Sequence, residues 1–186
     1  MIYRMNRNLM QRVLIVFCFI QLFIGAVTAQ LTQTYIEPDA DFKQAKLLYQ
    51  QEQFSLAYPL FKTLYSNGVK NSNIPDQVYA EAKYYYIICG LQLNEASAAT
   101  MARTYIDLEN NLAHAQMTAF HLGTYYYRKQ SFGESIAFFD KTNIENLSNA
   151  QIAEMKFCKA YSYFVLQQFD KAKPLFNSIR QLLILG

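Results

Sequence analysis

The sequence predicts an all-α chain, an α-solenoid of about four stacked helical hairpins preceded by a leader helix. Three observations carry this prediction. One spacing pattern of small and large residues occurs three times, apolar residues recur at intervals of three and four with no competing alternation, and a polar break divides each copy into two runs.

From the amino terminus, residues 1–29 hold Arg4, Arg7 and Arg12 and no acid, followed by the apolar run VLIVFCFIQLFIGAV and then Thr28-Ala29. A positive start, an apolar middle and small residues at a cut site make a secretory signal peptide, with cleavage expected after Ala29. The alternative is a retained membrane anchor, although an apolar run of about 15 residues is short for a span that needs about 20. Cys18 lies inside the run rather than at its boundary, which speaks against a lipid-bearing anchor. Residues 30–37 read as a short linker. Of the 17 Lys and Arg residues three belong to the leader, leaving 14 against 14 acids, so the body is neutral and nucleic acid is not an expected partner.

The body, 38–186, divides into units at about 38–71, 76–109, 114–147 and 149–183. Ala45, Leu48, Phe54, Ala57 and Phe61 form the first copy of the pattern. Gly123, Tyr126, Phe132, Ser135 and Phe139 repeat its intervals, and Ala160, Tyr163, Phe169, Ala172 and Phe176 repeat them again. The first two of these copies are far enough apart to hold one more unit. The intervening EAKYYYIICGLQLNEASAATMARTYIDL, 81–108, supplies it in eroded form, broken near Asn94. Pro59 and Pro174 fall at the same point of the pattern and mark a tolerated bend, since an interior proline otherwise costs a helix about 3 kcal/mol. Ser131 with Glu134, and Ser148 with Gln151, have the spacing of capping boxes, and Asn94 reads as the cap of the eroded unit's second helix. Loops are expected at 66–77, 109–114 and 141–148.

Alternation of size supplies a packing scheme. Gly123, Ala45 and Ala160 let the two helices of a hairpin approach, Phe132, Phe54 and Phe169 fill the gap, and the rings of Phe61, Phe139 and Phe176 reach the neighbouring unit. No unit can bury its apolar face alone, so neighbours must stack. Each buried ring contributes about 1.5 to 3 kcal/mol, so a four-unit stack needs no disulfide support. Cys89 and Cys158, both within apolar helical patterns and far apart, read as buried thiols.

Chemistry-bearing constellations are missing. His114 and His121 could share a helix face, but no HExxH pattern or cysteine pair accompanies them, and Asp107, Glu109 and Glu134 are scattered acids suited to solvation or capping. No glycine-rich phosphate loop, GxSxG or CxxC occurs. The expectation is a chain that is not an enzyme and has no catalytic residues, cofactor or metal.

The intervals in LGTYYYRKQSFGESIAFF and KAYSYFVLQQFDKAKPLF resemble those of tetratricopeptide repeats over about 38–183, clearly in three units and weakly in the second. The order of units is similar to the amino-terminal part of long exported repeat proteins of Bacteroidota. The sequence departs from the family pattern where Asp41, Ala119 and Lys156 stand at the usual first aromatic, with Phe42, Phe120 and Phe157 one position later, and the units exceed the usual 34 residues. The resemblance implies an interaction scaffold whose first helices line a groove. By matching repeat positions, that groove carries Phe42, Lys46 and Tyr49, then Phe120, Thr124, Tyr127 and Arg128, then Phe157, Tyr161 and Phe164. Only Lys46 and Arg128 are of the kind that grips a terminal carboxylate, so an apolar or extended peptide is the expected ligand rather than a chain end.

After Phe176 the chain runs on to Leu182, Leu183, Ile184 and Leu185, the opposite of the polar face that closes a repeat array. The expectation is a fragment of a longer array, or an apolar end that pairs with another copy or a partner. The functional expectation is an exported, non-catalytic adaptor of the periplasm or cell envelope that binds protein or peptide partners, and that touches membrane only through an uncleaved leader. The alternative is an extracytoplasmic sensory input module of a larger membrane-bound regulatory protein.

Overall fold

A computed structural model describes residues 40–68 and 75–185. The leader at 1–29 with Cys18, the linker at 30–37 and the middle of the 66–77 loop lie outside them. Among the described residues the chain is all-α, without a strand. The helices are α1 (Ala40–Gln50), α2 (Phe54–Gly68), α3 (Asp76–Leu93), α4 (Ala98–Leu108), α5 (Leu112–Arg128), α6 (Phe132–Phe139), α7 (Asn149–Val165) and α8 (Phe169–Leu185), with a 3-10 turn at Ile144–Asn146 before α7. Each helix packs on the next in sequence, and α1, α3, α5 and α7 also touch in series. This is a helical-repeat-like arrangement of four hairpins.

One backbone device makes all four hairpins. Glu52, Asn94, Gln130 and Gln167 are the described non-glycine residues with positive φ, at 58°, 59°, 60° and 59°. In each case the following N–H reaches back to a carbonyl in the last turn of the first helix. Gln53 donates to Leu48 at 2.9 Å, Glu95 to Gly90 at 2.9 Å, Ser131 to Tyr126 at 2.9 Å and Gln168 to Tyr163 at 2.8 Å. A left-handed residue that ends a helix in this way satisfies carbonyls that would otherwise be orphaned. Asn94 is therefore the stop of α3. The expectation that it caps the start of α4 is corrected: Ser97 stands there, with no side-chain cap bond.

The shared turn fixes the register of the eroded unit. Where the other hairpins place Ala45, Gly123 and Ala160 before the turn, the second places Ile87, and where they place Leu48, Tyr126 and Tyr163 it places Gly90. Small and large have changed places. In the third hairpin a Cβ on Gly123 would lie 2.7 Å from the Phe139 ring, and the Ser135 hydroxyl donates to the Gly123 carbonyl at 2.9 Å. In the second, Gly90 faces the Ala98 methyl, 3.1 Å from where its own Cβ would be.

The core consists of clusters that cross from one hairpin to the next. Phe61 of α2 stacks on Tyr85 of α3 at 5.1 Å. Ile88 and Leu91 of α3 share a cluster with Leu122 of α5 and Phe138 of α6. Phe120 and Phe139 are covered by Met155 and Cys158 of α7. Both described cysteines are free, buried thiols, each pushed up to about 12 by burial.

Helix ends follow the sequence in part. Ser148 and Gln151 form both bonds of their capping box. Ser131 makes no cap bond, which corrects the expected box with Glu134. The left-handed Gln130 has already turned the chain there, and the Ser131 backbone N–H is taken by Tyr126. Asn111 caps α5 by accepting from the His114 N–H at 3.2 Å. Pro59 and Pro174 both lie within continuous helices, α2 and α8. No described helix is long and apolar enough to cross a membrane.

Candidate functional site

Two cavities adjoin on the side where the first helices of successive hairpins follow one another. The first, about 350 Å³, is walled by Tyr49 and Gln50 of α1, Glu52 and Phe54 after it, Gln92 of α3, Phe120, His121, Thr124 and Arg128 of α5, and Gln151 and Glu154 of α7. The second, about 450 Å³, is formed by Tyr127, Arg128, Gln130, Phe132, Tyr161 and Val165. Arg128 belongs to both.

The local fold explains why Arg128 holds its place. It is the last residue of α5, and its guanidinium reaches the end of α3, where Nη2 donates to the Leu91 carbonyl at 2.9 Å. A cation there meets the negative end of the helix dipole and occupies a last-turn acceptor. Nη1 donates to Gln92 Oε1 at 2.8 Å. Among the described residues no carboxylate lies within ion-pair distance of this guanidinium, so neutral acceptors orient it and its charge stays available to the cavities.

One assignment propagates from that contact. Arginine can only donate, so the Gln92 oxygen faces Arg128 and its nitrogen faces His121 Nδ1, 3.4 Å away. The imidazole must then accept at Nδ1 and carry its proton on Nε2. Burial, with Arg128 adding to it, lowers the His121 pKa to about 4, which keeps the ring neutral at ordinary pH. Across the cavity, burial raises the Glu154 carboxyl while Arg128 pulls it down. The Thr124 hydroxyl is buried with no hydrogen-bond partner. The first cavity thus mixes one cation, the acids Glu52 and Glu154, three side-chain amides and a neutral imidazole. The second is ringed: Tyr127 and Tyr161 meet edge-on at 5.9 Å, and Phe132 lies 6.1 Å from each.

The residues expected in a groove are only partly brought together. Tyr49, Phe120, Thr124 and Arg128 wall the first cavity, and Tyr127, Arg128 and Tyr161 the second. Phe120 is also core, 2% exposed. Phe42 packs edge-on against Phe61 at 6.1 Å, and the Lys46 ammonium lies 5.8 Å from the Phe42 ring centre and 5.7 Å from that of Tyr85. Phe157 and Phe164 line neither cavity and are exposed. The sequence reading omitted Gln50 and Gln92, yet both stand at the same place before the turn as Arg128. That shared position was the available signal, and it became usable only once Asn94 was known to be the turn residue.

His114 and His121 take separate environments. His114 stacks on Tyr84 at 4.3 Å with Nε2 3.6 Å from a Glu81 oxygen, whereas His121 faces the first cavity. Among the described residues no group of three or more His, Cys, Asp or Glu side chains could hold a metal ion. Comparison with known proteins finds no match to the chain among protein-family models, curated proteins or solved structures.

Proposed function

We propose that this chain is an exported, non-catalytic interaction scaffold of tetratricopeptide-repeat type, which holds an extended peptide segment of a protein partner across α1, α3, α5 and α7. The observation that carries the reading is the pair of adjoining cavities sharing one pre-oriented arginine. Gln50 offers a donor and an acceptor, as a peptide group does, while Gln92, held by Arg128 and His121, and Gln151, held in the Ser148 capping box, each keep an amide N–H for a ligand carbonyl. The ring-walled second cavity suits an apolar side chain of the same segment, because tyrosine gives broad contact with a polar tip. Arg128, between them, suits a carbonyl or carboxylate of the ligand. This occupant is more polar than an aromatic groove alone would select.

The test is a selection of displayed random peptides on the purified body, 38–186, followed by affinity measurement. Enriched peptides are expected to pair a polar or acidic residue with a neighbouring apolar one. They should lose about tenfold or more in affinity with Arg128→Gln or Tyr161→Ala while the melting curve stays intact. No enrichment, or peptides indifferent to both substitutions, would remove the proposal.

A further inference from the structure

The walls of the first cavity are sorted by charge and by depth. His121, Thr124 and Arg128 stand at i, i+3 and i+7 of α5, so they share one stripe of that helix. All three can donate. The proton on His121 Nε2 has no acceptor among the described residues, and Arg128 keeps N–H groups beyond those held by Gln92 and Leu91. Thr124 is 8% exposed and its hydroxyl has no partner. A helical threonine can bond the carbonyl four residues back, as Thr118 does with His114 at 2.8 Å, but Thr124 does not. A buried hydroxyl left unpaired is costly, and this one belongs to the wall of a space that a ligand can fill. The acids stand on the exposed rim, Glu52 in the turn after α1 and Glu154 on α7. Neither forms an ion pair with a described residue. Arg128 is near enough to pull the Glu154 carboxyl down, yet the two side chains do not meet.

We propose that the first cavity takes an α-amino-acyl head, a free α-ammonium with the carbonyl beside it, and so holds the partner's peptide by its amino end. That the ligand is a peptide rests on the function proposed above, whereas the choice of its amino end rests on these walls. An anion alone, such as a chain-end carboxylate, is drawn to Arg128 but repelled by both rim acids. A cation alone meets the reverse. An internal peptide group has a single N–H and no charge to offer Glu154. An ammonium has several and pairs with Glu154 as an ion, and hydrogen bonds between charged groups are about twice as strong as those between neutral ones. The adjacent carbonyl then accepts from Thr124 and Arg128, so one small head bridges the cation and the carboxylate that the fold holds apart. The apolar side chain that follows has the second cavity beside it, because Arg128 belongs to both walls.

The probes are the tripeptide amide Leu-Leu-Ala-NH2, its N-acetyl derivative and free leucine, each titrated into the protein by calorimetry at neutral pH. The free-amine tripeptide is expected to bind saturably, and acetylation to weaken it at least about tenfold. Glu154→Gln, at an exposed position, should melt as wild type does and weaken the free-amine tripeptide without changing the acetylated one, whereas Arg128→Gln should weaken both. Thr124→Val should also weaken both and melt no lower than wild type, since it removes an unpartnered hydroxyl. Leucine binding as tightly as the tripeptide supports the head and makes its source a free amino acid. Leucine failing where the tripeptide binds supports it and makes the source a peptide end. Equal affinity with and without the acetyl group, or no binding by any probe, overturns the inference. The two readings fail separately: selected peptides that bind alike when acetylated remove the amino-end head and leave the scaffold, and binding of leucine alone keeps the head and removes the extended peptide.

Discussion

The second and third hairpins share a backbone and differ in how they fill it. In the third, glycine makes room for a large ring, and Gly123 lies beneath Phe139 with Ser135 bonded to its carbonyl. In the second, glycine makes room for another small residue, and Gly90 meets Ala98 while Ile87 takes the bulk elsewhere on α3. Both turn through a left-handed residue with the same return bond. Backbone geometry is therefore the more constant property of the repeat. The small-and-large pattern is one of at least two packings that satisfy it.

Substituting the glycines should produce the largest difference between the two. Gly123→Ala places a methyl 2.7 Å from a buried ring with no room to retreat, and should cost about 2 kcal/mol in urea unfolding even after the gain in helix propensity. Gly90→Ala meets the Ala98 methyl at 3.1 Å, with the Tyr58 ring at an ordinary 3.5 Å, and should fall within about 1 kcal/mol of wild type. Gly133→Ala, with open space around it, should stabilise by about 0.5 kcal/mol. Equal losses at Gly90 and Gly123 would mean that the two hairpins pack alike.

The contact between these hairpins should respond to acid. His121 of α5, joined to Gln92 of α3, titrates at about 4 when folded and near 6.5 when free, so the unfolded chain takes up the proton first on acidification. Its stabilising contribution is complete above about pH 6.5 and is lost as pH falls to about 4, a change on the order of 3 kcal/mol. The groups facing the ring are Arg128, Glu52 and Glu154, and Glu154, raised by burial, pulls more weakly in the opposite direction. His121→Gln should flatten the stability profile across that window. A profile of unchanged slope would show that the ring is solvated.

A smaller effect concerns helix starts. Ser148→Ala removes a formed capping box and should cost about 1 kcal/mol, whereas Ser131→Ala removes no cap bond and should cost less than about 0.5 kcal/mol. Similar losses at both serines would restore the expected box at Ser131.

The helical character of the chain was legible because Phe54, Phe61, Phe132, Phe139 and their partners lie at helical spacing, and burial of one stripe is what that spacing records. The box at Ser148 was legible for the same local reason. The box at Ser131 was not, since its spacing is identical and only the turn at Gln130 decides whether the hydroxyl bonds. Asn94 was misplaced because asparagine suits both a helix start and a left-handed stop, and the choice rests on a return bond to Gly90 that the one-dimensional pattern does not display. The amides of the first cavity, Gln50 and Gln92, went unread because a glutamine outside the apolar stripe is placed only by its distance from the turn, and the turn of the second hairpin was misplaced. Their role depends on Arg128, thirty-six residues beyond Gln92.

The most direct test of the shared turn is the stability of Asn94→Gly beside that of Asn94→Ala. With Asn94 in the left-handed conformation that ends α3, glycine should match or exceed wild type by a few tenths of a kcal/mol, and alanine should lose about 1 kcal/mol. Alanine raising stability while glycine lowers it would place Asn94 in ordinary helix and contradict the account of four hairpins built on one turn.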